Sequence, residues 1–200
     1  GADVIQIEPP GGSRARRLGP FVGDVPHPDR SLYWWAYTRN KRSVTLNLRS
    51  AQGKRLALRL IEQADVLLEN FRPDVKDRLG IDYESLKTIN KRIVLASISG
   101  FGQDGPYVDR PGFDQIAQGM SGLMSVTGMP GQGPVRSGAA IADVTAGLFA
   151  ALGIMTALWF RHLHAADRVP VKPHASPVFH AIQYLLGNLD PSHLTRLPSF

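Results

Sequence analysis

The 200-residue chain contains no cysteine. This absence excludes disulfide bonds, metal sites built on thiolates and a thiol nucleophile, and it is compatible with the reducing cytosol. Charged residues are also few, at 20%, while hydrophobic residues reach 43%, a composition typical of soluble globular proteins. The segment GADVIQIEPP has neither the basic nor the apolar region of a signal peptide. We therefore expect a globular protein without a signal peptide, located in the cytoplasm.

Nucleic-acid and metal motifs are lacking as well. The net charge is +6, and positive charge is concentrated in two clusters, Arg14, Arg16 and Arg17, then Arg39, Lys41 and Arg42. Such clusters are either solvated surface or a site for a polyanion, whether nucleic acid or a phosphorylated cofactor. No helix-turn-helix, zinc-finger spacing or RNP-type motif accompanies them, so no nucleic-acid partner is expected. His174 and His180 have no third ligand at a suitable spacing, so no metal is expected.

Short apolar strands alternate with helical patterns along the chain. Strands are predicted at Val4–Glu8, Arg42–Leu48, Asp65–Glu69 and Ile93–Ser99, and helices at 54–64, up to Leu79, from Asp82 or Tyr83 to Asn90, and at Phe113–Val126. This order predicts an α/β fold with a parallel sheet and flanking helices. Ligands of such folds bind beyond the carboxyl ends of the strands, where the loop Gly100–Gly112 lies.

The long apolar segment Gly138–Phe160 contains one charged residue, Asp143. It follows the glycine-rich loop Thr127–Gly138 and is predicted to lie in the first turn of a helix. A buried or half-buried carboxylate is costly unless it is compensated, so we expect it to be paired or chemically employed. The helix N-terminus supplies partial positive charge that favours the ionised form. Asp143 is therefore the candidate nucleophile or base.

The same segment is long enough to span a bilayer, and Arg161 flanks it. A membrane helix is the less favoured interpretation, because the segment is rich in Ala, Gly and Thr, carries Asp143 and follows a globular α/β pattern. Extraction without detergent distinguishes the two interpretations.

Several motifs, taken in order, resemble the class III CoA-transferase family, which includes formyl-CoA transferase, carnitine CoA-transferase and α-methylacyl-CoA racemase. They are GADVIQIEPP, NKRSVTLNL, DVLLENFRP, LASISGFGQDGP, GFDQIAQGMSG and GAAIADVTAGLFAALGI. The resemblance implies a Rossmann-like parallel sheet with flanking helices, within a two-domain fold whose two chains interlock as a homodimer. Relative to that fold, residues 1–162 are expected to be a large-domain portion without its first strand and helix. Residues 163–200 are expected to be a divergent tail of the kind that a fusion or a frame error produces.

The resemblance also implies site residues. Asp143 matches the aspartate that the family's transferases use. The positions that match contacts to coenzyme A are Leu46, Arg49, Asn70, Phe71, Arg72 and Arg78. Arginine suits the phosphates of CoA because it binds their oxygens in bidentate fashion. For Phe71 core packing is an equally good interpretation, and for Arg72 and Arg78 the alternative is surface charge.

The implied reaction moves CoA from an acyl-CoA donor to a small carboxylic acid, through an aspartyl-acyl anhydride and an aspartyl-CoA thioester. Racemisation of an acyl-CoA is the rival within the family. Racemases that resemble this chain carry a histidine in the GFDQIAQ segment, where this chain has Phe113. Phenylalanine cannot transfer a proton, so CoA transfer is favoured. A third possibility is a fragment that binds CoA without turnover.

Overall fold

A computed structural model of the chain describes residues 2–162, with side chains described as far as residue 160. The chain divides into two compact units, Gly1–Leu158 and Trp159–Phe200. The tail expected at 163–200, including His174 and His180, lies outside the described residues. The account below therefore concerns the first unit and the end of its last helix.

Four short strands form parallel pairs. The first pair joins β1 (Val4–Glu8) and β2 (Lys41–Thr45), and the second joins β3 (Val66–Glu69) and β4 (Val94–Ser97). Strands at these positions and their parallel pairing are confirmed. In residues 2–162 the pairs are two separate two-stranded sheets, in place of the one sheet that was expected. The α/β class is thus established for the described part of the chain.

The α-helices are α1 (Leu32–Thr38), α2 (Ala51–Glu62), α3 (Pro73–Leu79), α4 (Tyr83–Ile89), α5 (Asp114–Met120) and α6 (Ile141–His162). Short 3₁₀ helices cover Arg14–Arg17, Val22–Asp24 and Leu123–Val126. Polar side chains cap several of these helices at the N-terminus: the Ser50 hydroxyl accepts from the Gly53 N–H at 3.1 Å, and Asp82 accepts from the Ser85 N–H at 2.9 Å. The structure adds α1, which the sequence did not predict.

The helix expected over Phe113–Val126 is shorter than predicted. Helix α5 ends at Met120, and a 3₁₀ helix follows from Leu123. Gly122 between them has a φ of 82°, a left-handed conformation that glycine adopts without a steric penalty and that interrupts a right-handed helix. The chain therefore turns away after α5 and enters the glycine-rich loop that leads to α6.

The hydrophobic core lies between the second strand pair and the helices around it. Its buried members are Ile61 of α2, Ile81, Leu86 of α4 and Ile93, and Leu86 is fully inaccessible to solvent. Leu67 of β3 and Leu95 of β4 pack against this cluster together with Leu58, Ala64, Phe71 and Leu79. The core thus fixes the carboxyl ends of β3 and β4, where the ligand-binding loops were expected.

Two glycines close the long loop that follows β4. A Cβ added to Gly100 would lie 2.3 Å from the Cα of Gly112, so only two glycines allow the backbones to approach so closely. Since Gly100 follows β4 and Gly112 precedes α5, this contact holds the start of α5 beside the carboxyl end of β4. The candidate site described below begins at that point.

Candidate active site

Asp143 is the third residue of α6 and lies in its first turn, as predicted. The expectation that its side chain is buried or half-buried was wrong, because Asp143 is exposed to solvent. The reason is that most of α6 is uncovered by other residues of the described part. Its large exposed side chains are Ile141, Val144, Leu148, Phe149, Leu152, Met155 and Trp159.

Asp143 nevertheless faces a pocket. An open pocket of about 470 Å³ is lined by Phe113, Asp114 and Gln115 at the start of α5, by Arg136, Gly138, Ala139 and Ala140 of the preceding loop, and by Asp143. The start of α5 and the loop before α6 therefore meet at one concave surface. A carboxylate at the wall of such a pocket can meet a substrate atom directly.

A buried glutamine holds this pocket together. Gln118 of α5 is fully inaccessible to solvent, and its amide binds the loop on both sides: Oε1 accepts from the Ser137 N–H at 2.9 Å, and Nε2 donates to the Ala139 carbonyl at 3.2 Å. The same Nε2 donates to Asp114 Oδ2 at 2.7 Å. Because buried amides need all these partners, Gln118 fixes the loop before α6 against α5.

Asp114 completes the connection to α6. Its Oδ1 accepts a hydrogen bond from the Ala142 N–H at 2.8 Å, and Ala142 is the second residue of α6. A carboxylate that accepts from the first turn satisfies a free N–H group and interacts favourably with the helix dipole. Asp114 thus acts as an N-terminal cap supplied by a different helix, and it sets the position of the turn that carries Asp143.

Burial raises the pKa of the Asp143 carboxyl above its usual range, and the negative charge of Asp114 raises it further. The residue is exposed by surface area, yet protein atoms on one side remove part of its hydration, which disfavours the charged form. Burial and the charge of Asp114 thus oppose the helix N-terminus, which was expected to favour the ionised form. A raised pKa makes the ionised carboxylate a stronger base and nucleophile than an ordinary aspartate.

Asp143 is not engaged by neighbouring donors. Its carboxylate forms no hydrogen bond or ion pair with another residue in the 2–162 region, and its pKa is raised by burial and by Asp114. In the first turn, the Ala142 N–H is occupied by Asp114, whereas the N–H groups of Ala140 and Asp143 find no acceptor among the described residues. Free N–H groups of this kind are suited to an oxyanion.

The residues matched to the CoA site lie elsewhere. Leu46 and Arg49 follow β2; Leu46 is half-buried and its N–H donates to the Glu8 carbonyl at 2.9 Å, while Arg49 is exposed. Neither lines the Asp143 pocket. The structure therefore places them at the carboxyl end of β2, next to β1.

Asn70 and Phe71 follow β3. Asn70 is exposed, whereas Phe71 is half-buried and packs against the hydrophobic core, in agreement with the interpretation of Phe71 as a packing residue. The Phe71 N–H donates to Glu69 Oε2 at 2.7 Å, which tightens the turn after the strand. Asn70 is thus presented to solvent at the carboxyl end of β3.

Arg72 and Arg78 are brought together by one carboxylate. Asp74 Oδ2 lies 3.2 Å from Arg72 Nη2 and 3.1 Å from Arg78 Nη2, and all three side chains are solvent-exposed. Exposed ion pairs contribute little to stability, so the guanidinium groups remain available to a phosphate. The structure does join these two predicted residues, through Asp74 in the first turn of α3.

Within the basic cluster before α1, Arg16 has a structural role. Its Nε and Nη2 donate to Glu8 at 2.7 and 2.8 Å, and its guanidinium carbon lies 4.3 Å from the centre of the Trp34 ring. Glu8 is 1% exposed, and the bonds from Arg16 hold its pKa at about 2. The interpretation of Arg16 as solvated charge or as part of a polyanion site was therefore wrong.

The described residues include no group of three or more His, Asp or Glu side chains that could hold a metal ion. Helix α6 is long and apolar enough over Ile141–Phe160 to cross a membrane by length and composition. Length and composition alone do not separate a membrane span from a helix that packs on protein.

Comparison with known proteins decides the family. Residues 1–167 match the family model described as CoA-transferase family III. The chain belongs to CoA-transferase family III.

Relatives agree with this assignment. The chain is similar to acetyl-CoA:oxalate CoA-transferase from Acetobacter aceti, with 47% identity over 80% of this chain and 41% of the relative. It is similar to the succinyl-CoA–L-malate CoA-transferase alpha subunit from Chloroflexus aurantiacus, with 41% identity over 96% of this chain and 44% of the relative. A crystal structure of a CAIB/BAIF family protein from Brucella suis shares 43% identity and a TM-score of 0.74, over 80% of this chain and 43% of that one.

The chain thus spans about two fifths of the length of the curated relatives that it matches. The Chloroflexus aurantiacus alignment covers 195 residues and therefore reaches into 163–200. The divergence of that tail stays a prediction, as does the boundary at residue 162.

Two pocket residues, Asp114 and Arg136, and the buried Gln118 beside them escaped the sequence analysis. Asp114 and Gln118 are four residues apart on one helix, a spacing that places their side chains together, but the partner loop that makes the pair useful is distant in sequence. Arg136 lies in the glycine-rich loop seven residues before Asp143. The fold of that loop, which brings Arg136 and Asp143 to one pocket, has no local sequence pattern. The signal in the sequence was the presence of a cationic residue, Arg136, close in sequence to the candidate nucleophile Asp143.

Proposed function

We propose that this member of CoA-transferase family III moves CoA from an acyl-CoA donor to a small carboxylic acid, with Asp143 as the nucleophile. The observation that carries the proposal is the position of Asp143: the first turn of α6, at the wall of a pocket, with no partner among residues 2–162. An ionised carboxylate that is neither paired nor capped is free to attack a thioester.

In the first half-reaction, an Asp143 oxygen attacks the thioester carbonyl carbon of the donor. A C–O bond forms, the C–S bond breaks, and CoA leaves as the thiolate, which gives a mixed aspartyl-acyl anhydride. The thiolate then attacks the aspartyl carbonyl carbon. The donor acid leaves as its carboxylate, and Asp143 carries CoA as a thioester.

In the second half-reaction, the acceptor carboxylate attacks the aspartyl thioester and expels the CoA thiolate, which forms a new anhydride. The thiolate attacks the acceptor acyl carbon, the new acyl-CoA departs, and the Asp143 carboxylate is restored. The donor thioester and the product thioester have similar free energies of hydrolysis. The site therefore has two main tasks, to position the reacting groups and to exclude water. The N–H groups of Ala140 and Asp143 are the proposed donors to the tetrahedral oxyanion.

Phe113 supports transfer in preference to racemisation. Its ring lines the Asp143 pocket and is 74% exposed, at the position where racemases that resemble this chain carry histidine. Racemisation needs a second acid or base across the α-carbon, and a phenyl ring supplies none. Loss of deuterium from an α-labelled acyl-CoA, without exchange of the acid, would favour racemisation instead.

CoA itself is proposed to be bound by the loops that follow β2 and β3. Arg49 and the pair Arg72 and Arg78 offer positive charge for its phosphates, Asn70 offers amide hydrogen bonds, and Leu46 offers an apolar contact. Phe71 contributes by shaping the turn after β3, since its ring belongs to the core. No metal takes part in the proposed reaction.

The proposal includes a cytoplasmic homodimer and a Rossmann-like large domain. The exposed apolar side chains of α6 support an assembly, because isolated soluble proteins rarely expose large contiguous apolar patches. We propose that protein covers α6 and that no membrane is involved, since the family match extends through this helix. Recovery of the chain only in detergent would contradict this.

Trapping of the acyl-enzyme tests the proposed function. With acetyl-CoA or succinyl-CoA as donor, hydroxylamine should capture an adduct on Asp143 that mass spectrometry locates, and Asp143→Ala should give none. Binding of CoA is measured in parallel by calorimetry. CoA binding without any adduct would favour a CoA-binding chain without turnover, and full transferase activity in Asp143→Ala would exclude the proposed nucleophile.

A further inference from the structure

Arg136 faces the pocket of Asp143 and is the cation among its lining residues. It makes no hydrogen bond or ion pair with another residue in the described part of the chain. Several other arginines are engaged, as in the contacts of Arg16 with Glu8, Arg42 with Asp3, Arg72 and Arg78 with Asp74, and Arg110 with the Tyr107 ring. The guanidinium of Arg136 is thus left available at the site of the proposed chemistry.

The charges around it define what the pocket can admit. Asp114 and Asp143 both line the pocket, and a substrate acid arrives as an anion. Two carboxylates repel a third, and the repulsion is stronger where solvent is partly excluded. Asp114 accepts hydrogen bonds from Gln118 and from the Ala142 N–H, so its carboxylate is held in position at the pocket. A cation in the pocket offsets this repulsion, and Arg136, whose side chain is exposed there, carries that charge.

The chemistry also specifies which carboxylate Arg136 should hold. In the proposed reaction the acceptor carboxylate is the nucleophile, and a bidentate pair with arginine would draw electron density from its oxygens. A guanidinium that binds the reacting group would slow the attack. An acid with a second carboxylate avoids this conflict, since one group binds Arg136 and the other attacks the aspartyl thioester.

We propose that Arg136 is the specificity-determining residue of the pocket and that it selects short dicarboxylic acids by pairing with their non-reacting carboxylate. This inference rests on the proposed CoA transfer and deepens it by naming the substrate class. The planar guanidinium matches a carboxylate in geometry, which a lysine ammonium does not.

Binding of succinate tests the inference without any turnover. Succinate and butyrate, which differ by the second carboxylate, are titrated into the full chain and followed by ligand-observed NMR. The wild type is expected to bind succinate more tightly than butyrate. Arg136→Gln should weaken succinate binding by about tenfold or more and leave butyrate unchanged, and Arg136→Lys should fall between, as for other paired charges.

The matched control is Arg55→Gln on α2, which removes the same charge from an exposed position outside the pocket. It is expected to bind succinate like the wild type. Equal succinate affinity in the wild type and Arg136→Gln would overturn the inference, as would a wild type that does not prefer succinate over butyrate. Thermal unfolding of each variant confirms that it is folded, and Arg136→Lys provides the second test if the glutamine variant is not.

The inference and the proposed function fail in different ways. Labelling of Asp143 by acetyl-CoA and hydroxylamine does not depend on a second carboxylate, so it tests the transfer mechanism separately; it is measured in the wild type and in the Arg55→Gln control, where it should be the same. Loss of the preference for succinate with labelling intact supports the role of Arg136. Unchanged succinate binding with labelling intact refutes Arg136 alone, whereas the absence of labelling in the wild type refutes the transfer mechanism.

Discussion

Two carboxylates of this chain, Glu8 and Asp143, have opposite environments. Glu8 is 1% exposed and accepts hydrogen bonds from the Ser13 N–H, the Ser43 hydroxyl and two nitrogens of Arg16, so its pKa falls to about 2. Asp143 is exposed, has no donor among residues 2–162, and its pKa is raised.

The comparison shows that burial does not identify a reactive acid. A carboxylate whose lone pairs are all occupied is a structural element, however deeply it is buried. A carboxylate whose surroundings disfavour its charge, and which nothing neutralises, retains its reactivity. The region around Glu8 therefore stabilises the fold, whereas the region around Asp143 leaves a carboxylate free to react.

The largest effect on stability is expected where the buried ion pair is broken. Glu8→Ala leaves Arg16 with the exposed Asp29 as its remaining ion-pair partner. Breaking a buried pair typically costs about 3–5 kcal/mol. Asp143→Ala removes an exposed, unpaired group and should change the free energy of unfolding by less than about 0.5 kcal/mol. Urea denaturation of both variants measures the difference. Equal losses would mean that the two carboxylates do not differ as described.

The free energy of unfolding should depend on pH because of Glu8. The pKa of Glu8 is about 2 in the folded chain against an ordinary value of 4.5. Because the folded value is the lower one, the stabilisation is fully present above about pH 4.5 and is lost as the pH falls towards 2. The loss amounts to roughly 3 kcal/mol. Denaturation measured between pH 6 and pH 2 should show it in the wild type, and Glu8→Gln should remove most of this dependence. An unchanged pH dependence in Glu8→Gln would assign it to other groups.

Asp114 contributes both to stability and to reactivity, since it caps α6 and raises the pKa of Asp143. Asp114→Ala removes the acceptor of the Ala142 N–H and should cost about 1 kcal/mol in stability, whereas Asp114→Asn keeps an acceptor oxygen and should cost less.

Both substitutions remove the negative charge of residue 114, which raises the pKa of Asp143, while the burial that also raises this pKa remains. Its pKa should therefore fall part of the way towards the ordinary value. Since the ionised form attacks, the acid limb of acyl-enzyme formation should move to lower pH in both variants. The pH profile of hydroxylamine labelling measures it, and an unmoved limb in Asp114→Asn would show that Asp114 does not influence Asp143.

Much of the fold could be predicted from local signals. The strand Val4–Glu8, the cap at Ser50 and the stop of α3 at Gly80, whose φ is 67°, all follow from residue chemistry within a few positions. Helix α1 escaped prediction because its sequence, LYWWAYT, is rich in aromatic residues with modest helix propensity. Its N-terminus is fixed by Ser31, whose hydroxyl also donates to the Leu18 carbonyl across an irregular segment.

The candidate site was predictable in type but not in arrangement. Asp143 could be placed in the first turn of its helix because the apolar run and the glycine-rich loop are adjacent in sequence. Its exposure could not be predicted, because that depends on what covers α6 and not on its pattern. Asp114 and Gln118 meet within α5. The loop that carries Arg136 reaches that helix through contacts between residues distant in sequence, such as the bond between Gln118 and Ser137. Pairing at such distances leaves no local signal.

The smallest stability effect is expected at Phe113, a large apolar side chain in the region reserved for chemistry. Phe113 is 74% exposed, so Phe113→Leu should alter the free energy of unfolding by no more than about 0.5 kcal/mol, while Leu86→Ala in the core should cost about 2–5 kcal/mol.

Phe113 also lines the Asp143 pocket, where its ring can exclude water from an anhydride that hydrolyses readily. Hydrolysis of acyl-CoA relative to transfer should therefore increase in Phe113→Leu. If Phe113→Leu loses stability but keeps the ratio of hydrolysis to transfer, Phe113 has a structural role. The region around Asp143 would then also contribute to stability, contrary to the contrast with Glu8.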